Sequence, residues 1–253
     1  MAIHPQASAG FARGAAAYER GRPDYPATAV GWLAARLELG PGKLVVDLGA
    51  GTGKLTRQLI PYGARVIAVE PVREMASELE RAVVGVDVLA ATAAATTLGS
   101  GSVDAVTAGQ AFHWFTDQSS LHEIHRILRP GGRLGLVWNR RDLRSQLWQV
   151  VGELIDPLRG GSPDHSTGEW RRQLRASRLF GPLESRSFAH RQLATPEQLV
   201  DRVLSLSFVA ASAPPVQDQL RQRILEVAAD FQARPGQPIP LAYQSEVFAC
   251  RAS

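Results

Sequence analysis

Cysteine is almost missing from this chain of 253 residues, where Cys250 stands alone. A single thiol forms no intrachain disulfide and assembles no cysteine-based metal centre, so a disulfide scaffold and a cysteine zinc site are both excluded. Long apolar runs are missing too. None approaches the roughly 20 residues that span a bilayer, and residues 1–14 carry no hydrophobic centre of the secretory kind. The expectation is a cytoplasmic protein with no membrane partner. Lysine is reduced to Lys43 and Lys54, so arginine carries the net charge of +4 and the pI near 9.7. The arginines are scattered, with local clusters at Arg140, Arg141 and Arg144 and at Arg171, Arg172, Arg175 and Arg178. These read as solvated helix faces, and the dense basic stripe with interleaved aromatics that marks a nucleic-acid reader is lacking. No G-x-S-x-G elbow supports hydrolase chemistry, and no H-E-x-x-H or equivalent surrounds His122 and His125, so no metal is expected.

What is present is a hydrophobic content of 45%, enough for a sizeable core, arranged in alternating elements. Short apolar runs predict strands at 44–48, 65–70, 86–90, 103–108 and 133–138, with helices near 54–61, 72–82 and 118–128 between most of them. This alternation predicts an α/β fold with a doubly wound, mostly parallel sheet. A further helix over residues 28–39 precedes it, stopped by Gly40, Pro41 and Gly42. Beyond Asn139 the pattern changes to helices near 143–157, 168–178, 195–206 and 215–232 and only two strand candidates, 184–191 and 241–250. An antiparallel C-terminal strand pair completing the sheet, with the helices capping its carboxyl edge, fits that spacing. Three segments follow: a leader over residues 1–26, a core over 27–139, and a cap with the last strands over 140–253.

Chemistry concentrates at the ends of the predicted strands. The first runs into Asp47, Gly49, Gly51 and Gly53, and the second ends on Glu70, followed by Pro71. Glycines after a buried strand let main chain approach a ligand closely, and a carboxylate at the end of the next strand accepts both hydroxyl hydrogens of a ribose. The dinucleotide fingerprint requires a small residue at position 54, where this chain has Lys54. An adenosine cofactor other than a dinucleotide is therefore indicated. Asp47 has two readings, a contact to the cofactor through water or a brace for the turn. Val72 and Met75 are placed to flank the adenine, and Thr92 and Ala93 follow the third strand. The fourth strand leads into Gln110 and into Phe112, His113, Trp114 and Phe115, all at the same carboxyl edge. His113 is either a general base, with an ordinary pKa near 6.5, or a structural residue holding the loop.

The D-x-G-x-G-x-G order from Asp47 to Gly53 resembles motif I of class I S-adenosylmethionine-dependent methyltransferases. Residues 11–139 are similar to the UbiE-like, methyltransferase type 11 group, which includes small-molecule and trans-aconitate methyltransferase-like proteins. The resemblance rests on Tyr18-Glu19-Arg20-Gly21-Arg22-Pro23-Asp24-Tyr25-Pro26, on the glycine turn, on the segment from Gln110 to Phe115, and on Arg126-Ile127-Leu128-Arg129-Pro130-Gly131-Gly132. It implies a Rossmann-like sheet, S-adenosyl-L-methionine as cofactor, and metal-free in-line transfer of a methyl group to a small-molecule acceptor, in a monomer or homodimer. It implies that residues 1–26 form a lid. In that lid Tyr18 faces the sulfonium or the acceptor, Arg22 pairs with the cofactor carboxylate, and Tyr25 closes over both. Thr92 and Ala93 would meet the adenine edge, and Ala94 stands where an acid is common in the family. Arginines such as Arg22 or Arg140 would orient a carboxylate acceptor, and Asn139 would border the pocket. Two other classes compete: a non-catalytic S-adenosylmethionine-binding interaction protein, and a methyltransferase acting on RNA or protein.

Overall fold

In a computed structural model of the protein, residues 15–160 and 165–253 are described. Expectations resting on residues 1–14 and 161–164, including the start of the lid at Phe11 and the break around Pro163, lie outside them. The first helix, α1, covers residues 15–21. It is followed by α2 (Ala27–Arg36), which buries Ala29, Val30, Leu33 and Ala34 along one stripe. Strands and helices then alternate as β1 (Leu44–Leu48), α3 (Lys54–Leu59), β2 (Arg65–Val69), α4 (Arg73–Ala82), β3 (Asp87–Leu89), β4 (Val103–Gly109), α5 (Gln118–Ile127) and β5 (Leu128–Arg141). The remainder comprises α6 (Gln146–Ile155), α7 (Glu169–Ser177), β6 (Glu184–Ala194), α8 (Pro196–Leu204), α9 (Ser207–Ala210), α10 (Pro214–Phe231) and β7 (Ile239–Arg251).

Seven strands form one sheet in the order β3-β2-β1-β4-β5-β7-β6. The first five run parallel, and β7 lies antiparallel to both β5 and β6. Val45, Val46 and Leu48 are fully buried, as a central strand covered on both faces requires. Strand order reverses between β1 and β4, which opens a crevice beyond their carboxyl ends. One face of the sheet carries α2 and α3 through Leu33, Leu37, Leu55 and Leu59. The other carries a ring-rich cluster in which Trp138 meets Trp170 at 4.7 Å and Phe248 at 5.8 Å. Among the described residues no helix is long and apolar enough to cross a membrane.

Two features differ from the sequence reading. The two C-terminal strands are longer than the apolar pattern suggested, because β6 and β7 pair continuously from Glu184↔Ala249 to Ala194↔Ile239, through exposed and polar positions. The helix at 169–177 does not belong to the cap. Its Trp170 and Leu174 join Phe112, Trp138 and Phe248 in the sheet cluster, so α7 packs beside α5. The cap proper is α6, α8, α9 and α10, whose Trp148, Leu199, Val203 and Ile224 gather around Ile239, Leu241 and Tyr243 at the start of β7.

Gly135 on β5 sets the height of α2 above the sheet, since a Cβ there would lie 2.6 Å from Leu33 Cδ1 and 2.8 Å from Leu37 Cδ1. Gly135→Ala should cost about 1–3 kcal/mol through overpacking. Urea unfolding would show it as a lower midpoint at constant slope; an unchanged midpoint would mean that α2 shifts without loss.

Candidate active site

The glycine turn after β1 sorts its residues by function. Gly49, Gly51 and Gly53 all have positive φ, a region that favours glycine. Only Gly51 faces open space, so bare main chain is presented there. A Cβ on Gly53 would meet Leu79 at 2.9 Å and Val83 at 3.0 Å, and Gly53 is therefore a contact between the turn and α4 instead of a ligand contact. Gly49 lies against Ala111 of the β4 loop. Asp47 is fully buried, with one carboxylate oxygen accepting from Thr56 Oγ1 at 2.7 Å and the other from Thr107 Oγ1 at 2.9 Å. Burial raises its carboxyl to about 6 against those two hydroxyl bonds. Of its two readings, the brace is the one the geometry supports.

Glu70 sits differently. It follows β2 and accepts from the Gly51 amide at 2.8 Å on one oxygen and from the Val72 amide at 2.8 Å on the other. Each oxygen of a carboxylate has two lone pairs, so one on each remains for a ribose hydroxyl. Desolvation raises Glu70 to about 7 in spite of the two amide bonds, and the neighbouring Asp47 charge adds to the rise. Pro71 and Val72 are a lead-in, and the helix begins at Arg73. Met75 is 2% exposed and packs with Val72, Ala15 and Tyr18, so it supports the lid helix; exposed adenine-flanking surface it is not. Beyond β3, Thr92 is half-buried and bridges to Ala95, while Ala93 is buried in the sheet cluster.

At the end of β4, Gln110 adopts φ 59°, a left-handed conformation that costs a non-glycine residue energy. Its side chain donates to the Asn139 carbonyl at 3.0 Å and its amide to the Val137 carbonyl at 2.8 Å, which holds it there. Next to it, His113 receives the Trp138 indole N–H at 3.3 Å on Nδ1. An indole nitrogen only donates, so the neutral imidazole carries its proton on Nε2. Of the two readings of His113, this bond fits the structural residue that holds the loop.

The lid is fastened from both sides. Glu19 and Asp24 pair with Arg57 at 2.9 and 2.8 Å and with Lys54 at 3.5 and 3.2 Å. On the cap side Arg20 grips Asp201 at 2.7 Å, and Gly21 presses directly on α8, where a Cβ would lie 2.2 Å from the Arg202 amide nitrogen. Tyr25 is 5% exposed and packed among Leu33, Leu55 and Ala105, so it lies in the core instead of closing over a ligand. Tyr18 and Arg22 do reach the cavity, the guanidinium 4.8 Å above the phenol ring.

Lid, β4 loop, β5 and cap together enclose about 670 Å³. Tyr18, Arg22, Gln110, His113 and Asn139 line it, as the sequence places them. Arg140, which the resemblance offers to an acceptor, lines it too. Sequence reasoning missed three others: Arg141, which with Arg140 extends β5 into the wall instead of lying on a solvated helix face, His165, which stacks on Trp138 at 5.4 Å, and Arg202, which enters from α8. Nothing local marked these three. His122 and His125 bond to the carbonyls of Gln118 and Ser253, far from the cavity lining.

Known proteins are similar to this chain in sequence and fold. A family model described as a methyltransferase domain matches residues 46–136. An uncharacterized methyltransferase of Mycobacterium tuberculosis is 38% identical over 226 residues, 89% of this chain and 88% of that protein. A methyltransferase-like protein of Schizosaccharomyces pombe is 31% identical over 241 residues, 94% of each. The structure of a candidate type II methyltransferase from Anaeromyxobacter dehalogenans has the same fold with a TM-score of 0.67 at 24% identity, over 91% of this chain and 97% of that one. A glycine turn tied to Glu70 at the switch point of a seven-stranded sheet, with relatives matching nearly end to end, places this chain in the class I S-adenosylmethionine-dependent methyltransferases, in the UbiE-like type 11 group.

Proposed function

We propose that this protein binds S-adenosylmethionine in the crevice between Gly51 and Gln110 and methylates a small-molecule acceptor held in the adjoining cavity. The observation that carries this reading is the Gly51–Glu70 pairing, which presents open main chain and a hydroxyl-accepting carboxylate together at the strand-order switch. Bound there, the sulfonium cofactor supplies an electrophilic methyl group on a good leaving group.

The residues of the chain supply the rest by positioning and by keeping water out. Glu70 would hold the ribose, with Thr92 and the Ala93 main chain beside the adenine. Gln110, fixed in its strained conformation by Asn139, would meet the amino-acid part. Tyr18 and His113 would face the acceptor, while Trp114, Trp148 and Phe208 give it apolar walls. A cavity of this size, set between the N-terminal segment and the cap, suits a metabolite better than a nucleic-acid strand or a folded protein.

Calorimetric titration of S-adenosylhomocysteine should show binding that Glu70→Ala weakens by about 10- to 100-fold; equal affinity in the variant would remove the ribose role. The raised pKa also has a sign. Folded Glu70 holds its proton up to about pH 7 whereas the unfolded chain releases it near 4.5. Its contribution to stability is thus full below the lower value and is lost as pH rises through the upper one, by at most about 3 kcal/mol. Urea unfolding of wild type and Glu70→Gln from about pH 5 to 8 should isolate this difference, while nucleoside affinity of the wild type rises over the same window as the carboxylate forms. Incubation with methyl-labelled cofactor and a metabolite panel should transfer label to at least one small acceptor; transfer only to RNA or protein would refute the acceptor class.

A further inference from the structure

Five arginines line the cavity, and three of them have acids to face: Arg140 pairs with Glu246 at 2.8 Å, and Arg141 and Arg159 share Asp156 at 3.8 and 3.5 Å. The other two do not. Arg22 donates from Nε and Nη2 to the hydroxyl and carbonyl of Ser205, both neutral. Arg202 is 4% exposed; its guanidinium lies against the neutral Tyr243 phenol, and its Nε is buried without a hydrogen-bond partner among the described residues. The one acid beside it in sequence, Asp201, is turned away to Arg20. Arg22 moreover lies close enough to Arg202 to feel its charge, and burial first and that charge second lower Arg22 to about 10.

Two like charges withdrawn from water without a counter-ion are costly, and a methionine or leucine at position 202 would avoid that cost. The cost is removed when an anion arrives. A guanidinium presents a planar fork suited to a carboxylate, and the neighbouring Trp148 and Phe208 suit the carbon body attached to it.

We propose that Arg202 and Arg22 form a carboxylate-binding site in the cavity wall. The proposal rests on the methyltransferase reading, because two carboxylates can come there: that of the cofactor's amino-acid tail and one carried by the acceptor. Arg202 is the residue that tells them apart, since it belongs to the cap.

The test titrates S-adenosylhomocysteine, and 5′-methylthioadenosine as the same nucleoside without a carboxylate, into wild type, Arg202→Met and Arg202→Lys. Each protein saturated with S-adenosylhomocysteine is then titrated with succinate and with benzoate. Arg202→Met should leave 5′-methylthioadenosine binding unchanged and weaken either S-adenosylhomocysteine or the added acids by about 10- to 100-fold. The first result assigns the site to the cofactor tail, the second to the acceptor, and Arg202→Lys should fall between. The thermal midpoint of unliganded Arg202→Met should equal or exceed that of wild type, an outcome that a purely structural arginine would not give. Unchanged binding of S-adenosylhomocysteine in the variant, with succinate and benzoate either silent or unaffected, overturns the proposal. So does equal loss of 5′-methylthioadenosine, which would mark general damage. Failure of wild type to bind either nucleoside would instead sink the methyltransferase reading.

Discussion

One residue, Asn139, ties the lid, the β4 loop and both sets of strands together at the edge of the cavity. Asn139, at the carboxyl end of β5 and 5% exposed, donates from Nδ2 to the Pro23 and Asp24 carbonyls at 3.3 and 3.2 Å. Its Oδ1 accepts from Ser245 of β7, and its own main-chain carbonyl accepts from Gln110. Lid, β4 loop, parallel sheet and antiparallel strand therefore meet at a single buried side chain whose donors and acceptor are all used. In a site of low dielectric such a saturated network is rigid, and leaving any partner unpaired would be costly. The strained backbone of Gln110 is tolerable because this network overdetermines it.

Two acids at the carboxyl edge show how neighbours divide one chemistry into two tasks. Asp47 and Glu70 end adjacent strands, and both are withdrawn from water. Asp47 lies in register with Thr107 and spends its oxygens on hydroxyls inside the sheet. Glu70, one step beyond its strand, spends one lone pair per oxygen on amides at the rim. The first stiffens the turn from below; the second closes the turn's outer side and keeps capacity in reserve.

The fold and the outline of the site were legible because their signals are local. Buried parallel strands announce themselves as short apolar runs, and the glycine spacing after Asp47 separates one nucleoside cofactor from another. The errors fall where tertiary placement decides. The stripe on residues 169–177 shows that a face is buried but not whether sheet or cap buries it. Nothing in sequence distinguishes Gly53, which α4 needs, from Gly51, which is open. Met75 and Tyr25 have the right character for a pocket and went to packing, while Arg202 has the character of a surface residue and is buried. Ser245 reaches the centre only through the long antiparallel pairing, 106 positions from Asn139, and His165 only through the packing of the neighbouring α7 on the sheet cluster.

The clasp between Arg20 and Asp201, with Gly21 flat on the α8 backbone, spans 181 positions of chain. Contacts of such separation are entropically the most expensive to close and form late. The glycine turn, α2 and most of the parallel sheet can collapse while the ribosome is still producing the cap, and until α8 has emerged the helix over residues 15–21 has only its contacts to α3 and α4. Its second fastening thus closes last, and a product stalled before α8 would carry a crevice with a loosely held roof.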